Sequence, residues 1–190
     1  MPDNIVCELL KVISKNTSYS GDSVSSTENF QKQRSGASAR TTPLRVIQIV
    51  ENLDRGAVEN WLVRTFVESR REFPTVDWTF YCVLGRPGRL DELVLEHGGK
   101  IIYSPVELSQ TMAFLKHLRK TLRQGAYDIL HCHHDFMSGL YLLAAWGLPI
   151  KKRLVHIHNT DEAIPTPSVL KRRLAREPLR QCTSRSDGTG

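Results

Sequence analysis

The chain has 190 residues, 40% of them apolar and 24% charged, a globular mixture with room for one domain and an ordinary core. Its formal net charge of +6 is unevenly placed: residues 1–42 hold five basic against four acidic side chains, residues 43–150 twelve of each, and residues 151–190 nine against four. The body is therefore balanced and the positive excess sits in the C-terminal stretch, which excludes a basic nucleic-acid-binding face spread over the fold.

From Lys15 to Thr42 the sequence is rich in Ser, Thr, Gly and Gln and poor in large apolar side chains, which predicts a disordered leader over residues 1–43. Regular pattern begins with "LRVIQIV", 44–50, a β-branched run suited to a strand buried on both faces. Ala57, Val58, Trp61, Leu62, Thr65 and Phe66 then recur on one helical face. "VDWTFYCVL", 76–84, is a second strand, followed by a helix over 88–99 and the short strand "KIIYS". Ser109 is placed to cap a longer helix whose stripe is Met112, Leu115, Leu118 and Leu122, with Gly125 at its end. The strand "YDILHC", an apolar helix near 136–147 and the strand "RLVHIH", 153–158, complete the pattern.

Five strands alternating with helices predict an α/β fold with a doubly wound, Rossmann-like parallel sheet. The folded domain is expected over 44–177, with an unstructured tail over 178–190. Ser168 begins a segment to Arg176 in which Val169, Leu170 and Leu174 oppose Lys171, Arg172, Arg173 and Arg176, a basic amphipathic helix suited to anionic lipid or to a neighbouring domain. Cys7, Cys82, Cys132 and Cys182 form no C-x-x-C pair and suit reduced thiols. Glu8 and Lys11 break the N-terminal apolar run, so no signal peptide is expected and the predicted location is cytoplasmic, with peripheral contact to the inner membrane face through the basic helix.

In such sheets ligands bind beyond the carboxyl ends of the strands, and polar residues collect there. The first loop, "ENLDRGAVEN", turns through Gly56 and Ala57 straight into a helix, whose unpaired amides and dipole favour a phosphate or diphosphate. It lacks G-x-G-x-x-G, which disfavours a nicotinamide dehydrogenase; the bland alternative is a tight connection only.

"DILHCHHDF" brings three histidines to the end of the fourth strand. His131 and His133 are two apart and share a side, while His134 and Asp135 belong to the turn. The run approaches the H-x-H-x-D-H pattern of metallo-β-lactamase-like hydrolases but has Phe136 where the last histidine belongs, so no metal is expected. A strand-end histidine can instead bind a sugar hydroxyl or move a proton, and a structural role fits His131 best because it lies deeper. "HIHN" repeats the arrangement: His156 and His158 share a face, and Asn159 adds a polar group to the rim. Four imidazoles then converge on one crevice.

"RVIQIVENLDRGAVENWL" resembles the first strand and glycine loop of glycosyltransferase family 4 enzymes of the GT-B fold, whose pattern there is G-G-x-E. "YDILHCHH" and "RLVHIHNT" are similar to that family's fourth- and fifth-strand signatures, and the resemblance spans residues 44–176. It implies a retaining transfer from a nucleotide-diphosphate sugar to a glycan or lipid-linked acceptor, with no cofactor and no metal. Two Rossmann-like domains would face each other, and this chain would supply the N-terminal, acceptor-side half. Gly56 and Ala57 would lie near the donor diphosphate, His133 would be the catalytic strand-end histidine near the reacting sugar, and His158 and Asn159 would line the same cleft.

Ala57 stands where the family has its second glycine, and if that position needs positive φ the substitution costs about 1–2 kcal/mol. The E-x7-E motif of the donor half is absent after Arg180, so the expectation is a truncated product, inactive alone. The competing expectation is a non-catalytic Rossmann-like module that binds a phosphorylated ligand or a partner chain.

Overall fold

The computed structural model describes residues 43–157. Five strands are present in them: β1 (Leu44–Val50), β2 (Val76–Cys82), β3 (Lys100–Tyr103), β4 (Ile129–Cys132) and β5 (Lys152–Val155). Between them run α1 (Ala57–Glu72), α2 (Asp91–Glu96), α3 (Thr111–Gly125) and, after a 3-10 turn at Asp135–Met137, α4 (Ser138–Ala144). The sheet order is β3-β2-β1-β4-β5, with β1–β4, β2–β3 and β4–β5 paired in parallel. The chain steps outward from β1 to β3, then crosses back to lay β4 on the other side of β1. This is the doubly wound α/β architecture expected, and its switch point lies between the carboxyl ends of β1 and β4.

The period-2 alternation of the strands divides the core. Ile47, Ile49, Tyr81, Leu130 and Cys132 pack with Phe114, Leu118, Leu140 and Tyr141 of α3 and α4. On the other face Phe66 of α1 meets Phe80 and Trp78 edge-on, with ring centroids 5.4 and 5.7 Å away. Fully burying a side chain such as Phe66 contributes about 1.5–3 kcal/mol.

Several local expectations are corrected. In α3 the buried ridge is Phe114, Leu118 and Leu122, while Met112 is 68% exposed. Two residues turn the helix by about 200°, which puts Met112 on the far side from Phe114. Gln110, not Ser109, holds the N-cap position of α3, with no side-chain cap; Ser109 donates instead to Glu107 Oε2 at 3.0 Å. The left-handed residue closing α3 is Ala126, with φ 45°, rather than Gly125. Gly125 serves packing: a β-carbon there would sit 2.0 Å from the Tyr127 ring. The strands predicted to 84 and 158 stop at Cys82 and Val155, and the helix predicted over 88–99 contracts to Asp91–Glu96.

The predicted leader up to Thr42, the basic helix near 168–176 and the tail 178–190 lie outside the described residues. Among the described residues no helix is long and apolar enough to cross a membrane.

Candidate functional site

β1 carries one polar side chain inside its apolar run. Gln48 alternates with Ile47 and Ile49, so it faces α1, and it is fully buried. Its register partner on β4 is His131, and His131 is in turn paired with Leu154 of β5. His133 and His156 each lie two residues further along, on the same side. Their positions are fixed by backbone bonds, His133 N–H to Ile49 O at 3.0 Å and His156 N–H to Cys132 O at 2.8 Å.

Three imidazoles from two adjacent strands therefore meet at the switch point. Ring centroids are 4.0 Å apart for His131 and His133, 5.8 Å for His133 and His156, and 6.4 Å for His131 and His156. Trp61 of α1 closes this cluster edge-on, 5.4 Å from His156 and 6.3 Å from His133. His133 is only 8% exposed, and its Nε2 lies 2.8 Å from Gln48 Oε1. An amide oxygen only accepts, so this contact puts the ring proton on Nε2 and the lone pair on Nδ1.

Glu51, His134 and Tyr141 form a second linked group. His134 Nε2 donates to Glu51 Oε1 at 2.9 Å, and Tyr141 Oη lies 2.7 Å from His134 Nδ1. Burial holds the Tyr141 hydroxyl well above its ordinary range, so it keeps its proton and donates to Nδ1. The hydrogen bond from His134 holds the Glu51 carboxyl below its ordinary value, against partial burial, which works the other way. Asp135, with φ 31°, turns the chain out of β4 through left-handed backbone, a conformation costing about 1–2 kcal/mol for a residue with a β-carbon.

The loop after β1 is tied down at its base. Asn52 Nδ2 donates to Asp54 Oδ2 at 2.8 Å, and Leu53 O accepts from Leu90 N–H at 2.8 Å. Gly88 lies so close that a β-carbon would be 2.3 Å from the Leu53 carbonyl carbon. Gly56 is the N-cap of α1 in extended conformation, φ −76°, with no side-chain cap. Ala57 is the first helical residue, and the positive-φ residues other than glycine among those described are Ala126 and Asp135. The expected strain at Ala57 is therefore absent: the helix begins there without needing a left-handed residue.

Glu59 leans back over this turn, so that a β-carbon on Gly56 would lie 2.1 Å from Glu59 Oε2. Trp61, five residues into α1, touches the histidines, which sets the Gly56 turn about 7.5 Å further along the helix axis.

Of the residues singled out in the sequence, Gly56, Ala57 and His133 thus belong to one end of the sheet, and His156 joins them. His158 and Asn159 lie outside the described residues. Sequence reasoning missed Gln48, Glu51 and the position of Trp61 over the imidazoles. Gln48 had a readable signal, a lone amide inside the buried apolar run from Val46 to Val50. A groove on the β3–α3 flank, lined by Ile102, Tyr103, His117 and Tyr127 among others, shares no residue with this site.

The family model for Glycosyltransferase Family 4 matches residues 64–189. EpsF of Bacillus subtilis (strain 168), named as a glycosyltransferase, is 27% identical over 119 residues, covering 62% of this chain and 30% of EpsF. The capsular polysaccharide biosynthesis glycosyltransferase CapH of Staphylococcus aureus is 26% identical over 121 residues, covering 63% of this chain and 32% of CapH. The chain thus spans about a third of the length of these curated relatives. Among solved structures, a UDP-N-acetylglucosamine 2-epimerase aligns with a TM-score of 0.43 at 15% identity, over 70% of this chain and 39% of that one.

Proposed function

The chain belongs to glycosyltransferase family 4, and on that premise we propose that its domain is the acceptor-side half of a GT-B enzyme transferring a sugar, with retention, from a nucleotide-diphosphate sugar. The observation that carries this reading is the meeting of His133 with Trp61 of α1 at the sheet's switch point, where doubly wound sheets bind ligands.

In this reading the donor diphosphate lies beside the Gly56–Ala57 turn. The first-turn amides of α1 and the helix dipole offset negative charge developing on the leaving diphosphate. Glu59 has to swing aside for this, because its carboxylate now lies over Gly56. His133, held by Gln48 in one tautomer, positions sugar hydroxyls near the anomeric carbon, and His158 and Asn159 contribute further substrate contacts. A donor-binding domain forms the facing wall. A glycan or lipid-linked acceptor enters on the side built here, and the basic segment 168–176 rests on anionic lipid.

The test is sugar transfer from a nucleotide-diphosphate sugar to a lipid-linked acceptor, with the chain alone and with a separately produced donor domain. Transfer is expected only with both parts present, and His133→Ala should lower it about 100-fold or more, the scale of a lost positioning contact. Failure of every combination to transfer, alongside stoichiometric binding of a phosphorylated ligand, would establish the non-catalytic module instead.

A further inference from the structure

We propose that His131, His133 and His156 form a three-histidine site for a divalent transition-metal ion of the zinc class. This goes beyond the glycosyl-transfer reading, and it reverses the sequence-based expectation that the site is metal-free. That expectation rests on the H-x-H-x-D-H pattern of a dinuclear site, which Phe136 breaks. The tertiary structure supplies the third imidazole from the neighbouring strand.

Three independent features of the site point to a metal. The first is convergence: one ligand nitrogen from each ring lies within 4.8 Å of the others. Tetrahedral zinc with Zn–N bonds of 2.0–2.1 Å needs its nitrogens about 3.4 Å apart, so the rings close by at most about 1.4 Å, within reach of small side-chain rotations. The second is orientation. Gln48 Oε1 takes the Nε2 proton of His133 and turns the Nδ1 lone pair into the ligand, the outer-shell arrangement that fixes tautomer and ring plane in histidine metal sites. Gln48 is itself fully buried, which makes it a rigid positioning residue.

The third feature is the donor set and its surroundings. His131 is 1% exposed and His133 8%, and Trp61 covers the cluster, so water competes poorly for an ion held there. Among the described residues the donor set is three imidazoles, which suits zinc, nickel or cobalt rather than magnesium or calcium. Such a set leaves a fourth position for water or for an oxygen of a bound substrate. Because His131 lies in β4, His133 just after it and His156 just after β5, the ion would also pin two strand ends together beside the switch point.

The experiment uses the full 190-residue chain, stripped with a chelator and then titrated with Zn²⁺ and Co²⁺. One zinc per chain is expected after dialysis, with an intense four-coordinate cobalt spectrum. X-ray absorption on the zinc-loaded wild-type chain should show three imidazole nitrogens at about 2.0–2.1 Å. This measurement needs no variant, so a misfolded mutant cannot obscure the answer. His156→Ala should abolish stoichiometric binding, and Gln48→Leu should weaken it about 10- to 100-fold, the usual scale for losing an outer-shell partner. His97→Ala and His117→Ala, outside the cluster, should bind as the wild type does.

The proposal is overturned if zinc dialyses away from the wild-type chain, if absorption shows sulfur neighbours or fewer than three imidazoles, or if His156→Ala binds unchanged. None of these readouts depends on glycosyl transfer, so they distinguish a failure of the metal site from a failure of the proposed activity.

Discussion

Gln48 and His133 meet across adjacent strands, the amide oxygen of one 2.8 Å from Nε2 of the other, with both side chains buried. The contact gives a strand-end histidine one proton position and one ring orientation before any ligand arrives. Replacing Gln48 with Leu keeps the size and removes the acceptor. Ring ¹⁵N shifts of His133 are then expected to move from a single Nε2–H tautomer toward a mixture. Transfer by the completed enzyme should fall about two- to tenfold, the worth of one net hydrogen bond of 0.5–1.5 kcal/mol. An unchanged tautomer would mean that another neighbour orients the ring.

Glu59 lies over the turn where the proposed function puts a diphosphate. A carboxylate in the first turn favours the helix by about 0.3–1 kcal/mol, so Glu59→Gln should cost stability of that order. The same change should tighten nucleoside-diphosphate binding about two- to fivefold by removing a like charge. Calorimetric titration of both proteins measures the second effect, and equal affinities would place the diphosphate elsewhere.

Gly88 is constrained by contact rather than by conformation. Its Cα lies against the Leu53 backbone, where an added β-carbon would come within 2.3 Å. Gly88→Ala must push apart the loop that leads to Gly56, so a loss of about 1–3 kcal/mol in denaturant unfolding is expected, as for other overpacked sites. A fully stable variant would show that the loop after β1 yields freely.

The Glu51–His134 pair sets an acid-side dependence. The lowered carboxyl means that the folded state binds this proton less readily than the unfolded chain. Its contribution to stability is therefore complete above the ordinary value of 4.5 and is lost as pH falls through the lower folded value. Glu51 is about half exposed, so screening keeps the contribution to that of a surface pair, about 0.2–1 kcal/mol. Glu51→Gln should reduce stability near neutral pH by that amount, and the difference from wild type should vanish in acid. Chemical unfolding at several pH values between 3 and 7 measures it.

Cys82 is buried at the end of β2, and desolvation, with a smaller effect from the Asp91 carboxylate, pushes its thiol up to about 12. Native protein treated with iodoacetamide at pH 8 should leave Cys82 unlabelled, since the thiolate is the reacting species. Peptide mapping after denaturation should find it fully labelled; rapid native labelling would show that the end of β2 opens readily.

The sequence by itself determined the fold class and the end of the sheet that carries the chemistry. "LRVIQIV" and "YDILHC" are short, largely apolar runs suited to strands covered on both faces, and the polar residues that follow them then lie at the carboxyl edge of the sheet. Period 2 likewise fixed His131 and His133 on one side, since that depends on local backbone geometry alone. The tertiary structure decided what those histidines touch. His156 comes beside His133, Gln48 beside His131 and Trp61 over the cluster only because β4 pairs with both β1 and β5 and α1 folds back across them. Strand order and register are set by long-range packing between segments 23 to 83 residues apart in sequence, for which no local spacing rule exists. The end of α3 was decided by packing as well: the Tyr127 ring lies against Gly125, and the left-handed residue is Ala126.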